Sequence, residues 1–125
     1  ITPATTITGL ITATAGIRLG ATGKVGLGTP EQATVASGVL TVTKGYANVL
    51  PESSTTDTVD SITAAWAAEG DYLQLMSKDT NTITFDNSAT MLLGAGTRAV
   101  APGGSILFQK VGTTWVERQF LTAAS

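Results

Sequence analysis

Residues 105–120 read SILFQKVGTTWVERQF, and this stretch decides the fold class. Aliphatic, β-branched and aromatic residues lie on both sides of Gly112 and Thr113, which is typical of two strands. Gly112 and Thr113 fit the tight turn of a two-residue hairpin loop. The stretch therefore predicts a β-hairpin.

The same pattern recurs upstream, where short runs of β-branched, aromatic and aliphatic residues are separated by turn residues. Polar residues 52–58 predict a loop. Residues 62–69 are ambiguous, because Asp60 or Ser61 would also cap two helical turns. The spacing predicts an all-β chain, with an antiparallel β-sandwich or jelly-roll-like domain over residues 39–125. The predicted strands are residues 39–43, 46–50, 72–76, 82–86, 91–93, 98–100, 105–111 and 114–120.

Residues 1–38 differ in composition from the rest of the chain. They contain no aromatic residue, few charges and many Gly, Thr and Ala. Residues 16–20 and 24–28 alternate with period two between glycines, which predicts short strands. Such a segment can hardly bury its apolar face alone. We therefore expect an extended N-terminal arm that packs on a neighbouring chain or a larger surface; the alternative is an N-terminal hairpin of the same domain.

The overall composition indicates a modest core and a surface that contacts other protein. Ile, Leu, Val and Phe together make up 30 of the 125 residues, whereas Thr contributes 23 and Ala 17. Only 13% of residues are charged, against about 25% in free soluble domains. Small domains of this kind often gain stability by oligomerising.

Missing residue types exclude several classes of function. The chain has no His and no Cys, which removes imidazole bases, thiol nucleophiles and cysteine-bound metals. A net charge of −2 argues against nucleic acid as a partner. We expect no membrane partner, since no apolar run approaches the roughly 20 residues of a spanning helix. No cofactor is expected.

Two groups of acidic and amide side chains are candidates for a functional site. A pair among Asp57, Asp60, Glu69 and Asp71 would suit a glycosidase, but their places near loop ends favour capping and solvation. Asp79, Asn81, Asp86 and Asn87 flank one predicted hairpin and offer oxygens for Ca²⁺, although turns favour the same residue types. We predict neither a catalytic nor a metal site.

The two tryptophans are candidates for packing or for contact with a partner. Trp115 faces away from Val116, Arg118 and Phe120 in a regular strand, and we expect it in the core or at a subunit contact rather than as a platform for a sugar. Trp66 lies among alanines, which favours packing. The predicted assembly residues are the apolar positions of the arm and both tryptophans: Ile7, Leu10, Ile11, Ile17, Leu19, Val25, Leu27, Trp66 and Trp115.

The order of motifs in the second half of the chain resembles a module of tailed-bacteriophage virion proteins, found in tail fibres, receptor-binding proteins, head fibres and capsid decoration proteins. The resemblance covers about half the chain, and residues 1–38 fall outside it. Its motifs are residues 60–62 (DSI), 69–75 (EGDYLQL), 81–87 (NTITFDN), 91–93 (MLL), 102–108 (PGGSILF) and 114–117 (TWVE).

The resemblance implies a small β-sandwich that assembles as a homotrimer. It leads us to expect a non-enzymatic structural protein of the virion, located at the capsid surface, which decorates the phage head and stabilises it. Its partners would be the major capsid protein and copies of itself. The alternative is a tail-fibre or receptor-binding module for host glycans, using Tyr72 or Trp115 with Asp79 and Asn81. A depolymerising enzyme is the least favoured of these three functions.

Overall fold

The computed structural model describes residues 6–16, 20–23 and 26–123, and over these ranges the chain is all-β with no helix. Within the same ranges, no segment forms a helix of the length and apolarity needed to cross a membrane. The strands are β1 (Glu31–Thr34), β2 (Val39–Thr41), β3 (Tyr46–Leu50), β4 (Thr56–Val59), β5 (Ser61–Thr63), β6 (Tyr72–Met76), β7 (Thr82–Asp86), β8 (Met91–Leu92), β9 (Thr97–Val100), β10 (Ser105–Val111) and β11 (Thr114–Leu121).

The first seven strands wind through three sheets in repeated, parallel passes. A six-stranded sheet has the order β1-β3-β6-β10-β11-β8, a three-stranded sheet the order β4-β7-β9, and a two-stranded sheet pairs β2 with β5. The pairs β1/β3, β3/β6, β2/β5 and β4/β7 are all parallel. Successive passes of the chain thus stack on one another, which suggests a solenoid-like arrangement.

The last strands reverse direction and close this stack. β9 pairs antiparallel with β7, and β10 pairs antiparallel with both β6 and β11. The antiparallel pairing predicted for the whole domain therefore holds only here. The predicted sandwich or jelly roll is not confirmed. Hydrophobic alternation in the sequence predicts a strand and its buried face, but it does not predict the direction of the neighbouring strand.

The core lies between the sheets and is built from the inward positions of this alternation. Leu73 and Leu75 of β6 are buried, as are Ile106 and Phe108 of β10, which they directly oppose. From the three-stranded sheet, Phe85 meets Phe108 edge to face, with ring centroids 5.9 Å apart. Because cross-strand neighbours share a face, each strand adds its apolar side chains to one continuous interior.

Three local expectations are corrected by the structure. The first strand of the described residues begins at Glu31, eight residues before the expected domain start at residue 39, because Ala33 is buried in the parallel pair β1/β3. Residues 62–69 form no helix; β5 is followed by a turn in which the Ala67 amide donates to the Ala64 carbonyl. Strand β4 begins inside the predicted loop, at Thr56.

A bulge in β11 also alters the expected face of Phe120. Leu107 pairs with Gln119 and Phe108 with Glu117, so that Arg118 has no partner in the ladder. The extra residue returns Phe120 to the inward side, where it pairs with Ile106 and packs against the core. The expectation that Phe120 points away from the Trp115 side was wrong because it assumed a regular strand.

Candidate functional site

The described apolar residues of the arm are exposed. Leu10 is 93% exposed, and Ile7, Ile11 and Leu27 lie between 56% and 63%. Every described residue from 6 to 29 is likewise exposed. This part of the arm therefore packs on no surface of its own body. Of the remaining predicted arm positions, Ile17, Leu19 and Val25 lie outside the described residues.

Glu31 fixes the point at which the arm enters the body. Its carboxylate accepts bonds from the amides of Thr43 and Lys44, at 2.6 and 3.0 Å, and from the Thr43 hydroxyl at 2.9 Å. Partial burial acts to raise the pKa of Glu31, but these bonds and the nearby Lys44 charge outweigh it and lower that pKa. The carboxylate thus ties β1 to the turn between β2 and β3.

The structure gives the two tryptophans different positions. Trp115 was predicted to lie either in the core or at a subunit contact. It is 1% exposed and therefore lies in the core, with no surface left for a subunit contact. Trp66 is 38% exposed and lies 6.3 Å from Trp115 between ring centroids. Its indole N–H donates to the Val42 carbonyl at 3.0 Å. Trp66 therefore covers one end of the core and keeps part of its ring at the surface.

The candidate carboxylates serve the backbone of their own loops. Asp57 accepts from the amides of Glu52 and Thr58, at 2.7 and 2.8 Å, and Asp71 accepts from the Ala68 amide at 2.9 Å. Across the described ranges, no three acidic side chains come together as a metal site would require. These aspartates stabilise turns.

The residues of the glycan alternative are not brought together. Tyr72 is the first residue of β6, whereas Asp79 and Asn81 follow the last residue of that strand. Five residues of strand separate its ends by about 13 Å. Trp115 is buried, so it offers no stacking platform.

The outward face of the six-stranded sheet was not predicted from the sequence. Its side chains form three rows across neighbouring strands. No residue in these rows, all of them in the described ranges, is charged. The rows are Tyr46, Gln74, Leu107 and Gln119; Gln32, Asn48, Met76, Ser105 and Leu121; and Tyr72, Gln109, Val116 and Leu92. We call this surface the outer face.

The chemistry of the outer face is that of a protein contact. Amides, tyrosines and aliphatic side chains replace the charges that cover a free surface. Tyr72, Leu92 and Leu121 are each at least half exposed. Arg118 lies beside the rows at the bulge, where its Nε donates to Gln109 Oε1 at 3.1 Å. The centre of the outer face is therefore uncharged, with a cation next to it.

An open groove of about 470 Å³ lies against strands β6, β10 and β11; its lining residues belong to the outer face, except Phe120 from the inward side of β11. Leu107 and Leu121 contribute apolar surface to it, and Gln74 and Gln119 contribute amides. This combination suits a peptide, since the amides can bond to a backbone while the aliphatic groups contact its side chains.

A signal for the outer face exists in the sequence. Burial alternates along β6 and β10, but their outward positions hold Tyr72, Gln74 and Leu107 instead of the lysines and glutamates of a solvated face. Counting charge at outward positions would have identified the two central strands. The pairing that aligns these positions into rows requires the structure.

No protein-family model, curated protein or solved structure matches this chain.

Proposed function

We propose that this chain is a structural virion protein that decorates a phage head as a homotrimer and stabilises the shell. The observation that carries the proposal is the exposed arm, whose apolar residues Ile7, Leu10, Ile11 and Leu27 have no partner in the body. The uncharged outer face supports it, because both features suit contact with protein more than with water. The homotrimer and the location in the virion are what the resemblance to phage proteins implies. The fold proposed with them is a solenoid-like body with an extended arm.

The proposed mechanism is adhesion through many modest contacts. Fully burying one Leu or Ile side chain contributes about 1.5–3 kcal/mol, before the cost of ordering the arm is subtracted. A trimer with three arms engages a shell at several points, and linked contacts strengthen one another through their high effective concentration. The partners are the major capsid protein and further copies of this chain.

The first experiment measures mass in solution and binding to particles. Light scattering should give three times the 12.7 kDa of the chain. The protein should then pellet with undecorated phage heads and remain in the supernatant with host cells. A monomer that does not bind heads would overturn the proposal, and pelleting with cells alone would favour receptor recognition.

Two arm variants connect this binding to the arm. Leu10→Asp places a charge at the most exposed apolar position and should weaken binding to heads at least tenfold. Thr12→Asp adds the same charge at an exposed polar position and is the matched control. Both variants should keep the circular dichroism spectrum of the parent protein, since neither side chain contributes to the core. Equal binding by both variants would contradict a role for Leu10.

A further inference from the structure

The outer face and the arm are complementary surfaces of one chain. The groove over β6, β10 and β11 is open, with apolar and amide lining. The arm offers apolar side chains separated by threonines, and every described residue from 6 to 29 is exposed. We propose that the groove receives residues 7–11 of the arm of a second copy of this chain. This inference rests on the proposed function, because it assigns a docking surface to the arm.

The dimensions of the two partners agree. Once residues 7–11 adopt an extended conformation on docking, Ile7 and Ile11 lie on the same side of the segment and about 13 Å apart, from a rise of roughly 3.3 Å per residue. The groove spans two inter-strand spacings, from β6 to β11, or about 10 Å. A segment laid across these strands places Ile7 and Ile11 at opposite margins of the groove. Gln74 and Gln119 then lie within the span of its backbone.

Net charge favours the approach of an arm to a body, and the docked residues 7–11 carry no charge for Arg118 to repel. Two of the seven basic residues, Arg18 and Lys24, precede residue 31, and none of the nine acidic residues does. Residues 1–30 thus carry a net charge of +2, and the remainder of the chain carries −4. An arm is attracted to the body of another copy and repelled by another arm. Because the groove contains no charged side chain, docking of the arm does not remove water from a charged group there.

Cysteine cross-linking tests the pairing directly, because the natural chain contains no Cys. One preparation carries Ile11→Cys, a second carries Gln119→Cys, and the two are mixed and oxidised. We expect disulfide-linked pairs containing one chain of each kind. Ile11→Cys mixed with Val39→Cys is the control, since Val39 is exposed on the two-stranded sheet, away from the groove. The groove pair should cross-link at least tenfold faster.

The outcomes separate this inference from the proposed function. A trimer that cross-links no faster at Gln119 than at Val39 overturns the groove inference and leaves the proposed function standing. A monomer that binds no heads overturns both. A single chain carrying both Ile11→Cys and Gln119→Cys should form links between chains. If it closes an internal disulfide instead, the arm docks on its own body and the inference fails.

A groove variant provides a second readout. Leu107→Lys places a cation at the centre of the outer face and should raise the dissociation constant between copies at least tenfold. Thr113→Lys, at the exposed hairpin turn, introduces the same charge away from the groove and should leave assembly unchanged. Comparing thermal melts of both variants verifies folding. Unchanged assembly of a folded Leu107→Lys protein would overturn the inference.

Discussion

Arg98 and Glu117 connect two different sheets through a two-point contact. Arg98 Nε donates to Glu117 Oε2 at 2.6 Å, and Nη2 donates to Oε1 at 3.1 Å. The Glu117 side chain is only 9% exposed and also accepts from the Gly94 amide at 2.9 Å. The guanidinium lies 4.7 Å from the centroid of the Phe120 ring. The pair thus joins β9 of the three-stranded sheet to β11 of the six-stranded sheet.

This contact predicts how stability responds to acid. Burial acts to raise the pKa of Glu117, but the bond from Arg98, then that from Gly94 and the Arg98 charge, lower it below the ordinary 4.5. A carboxylate with a lowered pKa contributes stability that is present above its unfolded pKa and is lost as pH falls through the folded value. Glu117→Gln should therefore flatten the loss of melting temperature between pH 6 and pH 3.

Glu69→Gln is the control for this titration. Glu69 is exposed, and its side chain accepts no hydrogen bond from the described residues. Its replacement should leave the acid dependence of the wild type in place. Equal slopes for the Glu117→Gln variant and the wild type would contradict the role assigned to the pair.

Leu75 and Tyr72 test the two faces of β6. Leu75 is fully buried, so Leu75→Ala should lower the free energy of unfolding by about 2–5 kcal/mol through lost burial and a cavity. Tyr72 is 57% exposed on the outer face, and Tyr72→Ala should change that free energy by no more than about 0.5 kcal/mol. Urea denaturation at low protein concentration measures both. Comparable losses would show that the faces are misassigned.

Gly104 is predicted to tolerate no side chain. A Cβ built there lies 2.6 Å from the Leu121 carbonyl oxygen, which is backbone and cannot rotate away. Gly104→Ala should destabilise the fold by about 1–3 kcal/mol, as overpacking typically does. Gly26→Ala, where a Cβ meets nothing within 4 Å, is the control. A thermal melt of Gly104→Ala that matches the control would refute the close packing.

Fluorescence quenching can distinguish the two tryptophans. Iodide should reach Trp66, which is partly exposed, and should not reach the buried Trp115. Trp66→Phe should therefore abolish most of the quenchable emission. Because the variant also loses the bond to the Val42 carbonyl, its free energy of unfolding should fall by about 0.5–1.5 kcal/mol. Persistent quenching in the variant would place Trp115 at the surface.

The sequence predicts individual strands better than their arrangement. The bounds of β3, β6, β7 and β10 match the alternating stretches, because a buried face imposes period two locally. Strand β1 was missed because Ala33, its single buried residue, carries little hydrophobic signal. Parallel pairing depends on chain segments far apart in sequence, which local patterns do not encode.

Only part of the candidate site was predicted from the sequence. Composition led us to expect a segment that cannot bury its own apolar groups; Leu10 in it is 93% exposed, and the subunit contact expected there stays a prediction. The outer face was not predicted, since its rows join residues from six separate strands. The face of Phe120 was mispredicted because the bulge at Arg118 cannot be recognised in the sequence of β11 alone. It becomes visible only in the pairing of β11 with β10.

The reversal of the last strands has a consequence for growth of the molecule by end-to-end addition. A stack of parallel passes is an open template, on which the first pass of another copy would continue the last. Here β10 and β9 already occupy the free edges of β6 and β7, and run in the opposite sense. Another copy therefore cannot continue the parallel passes at the edges of β6 and β7.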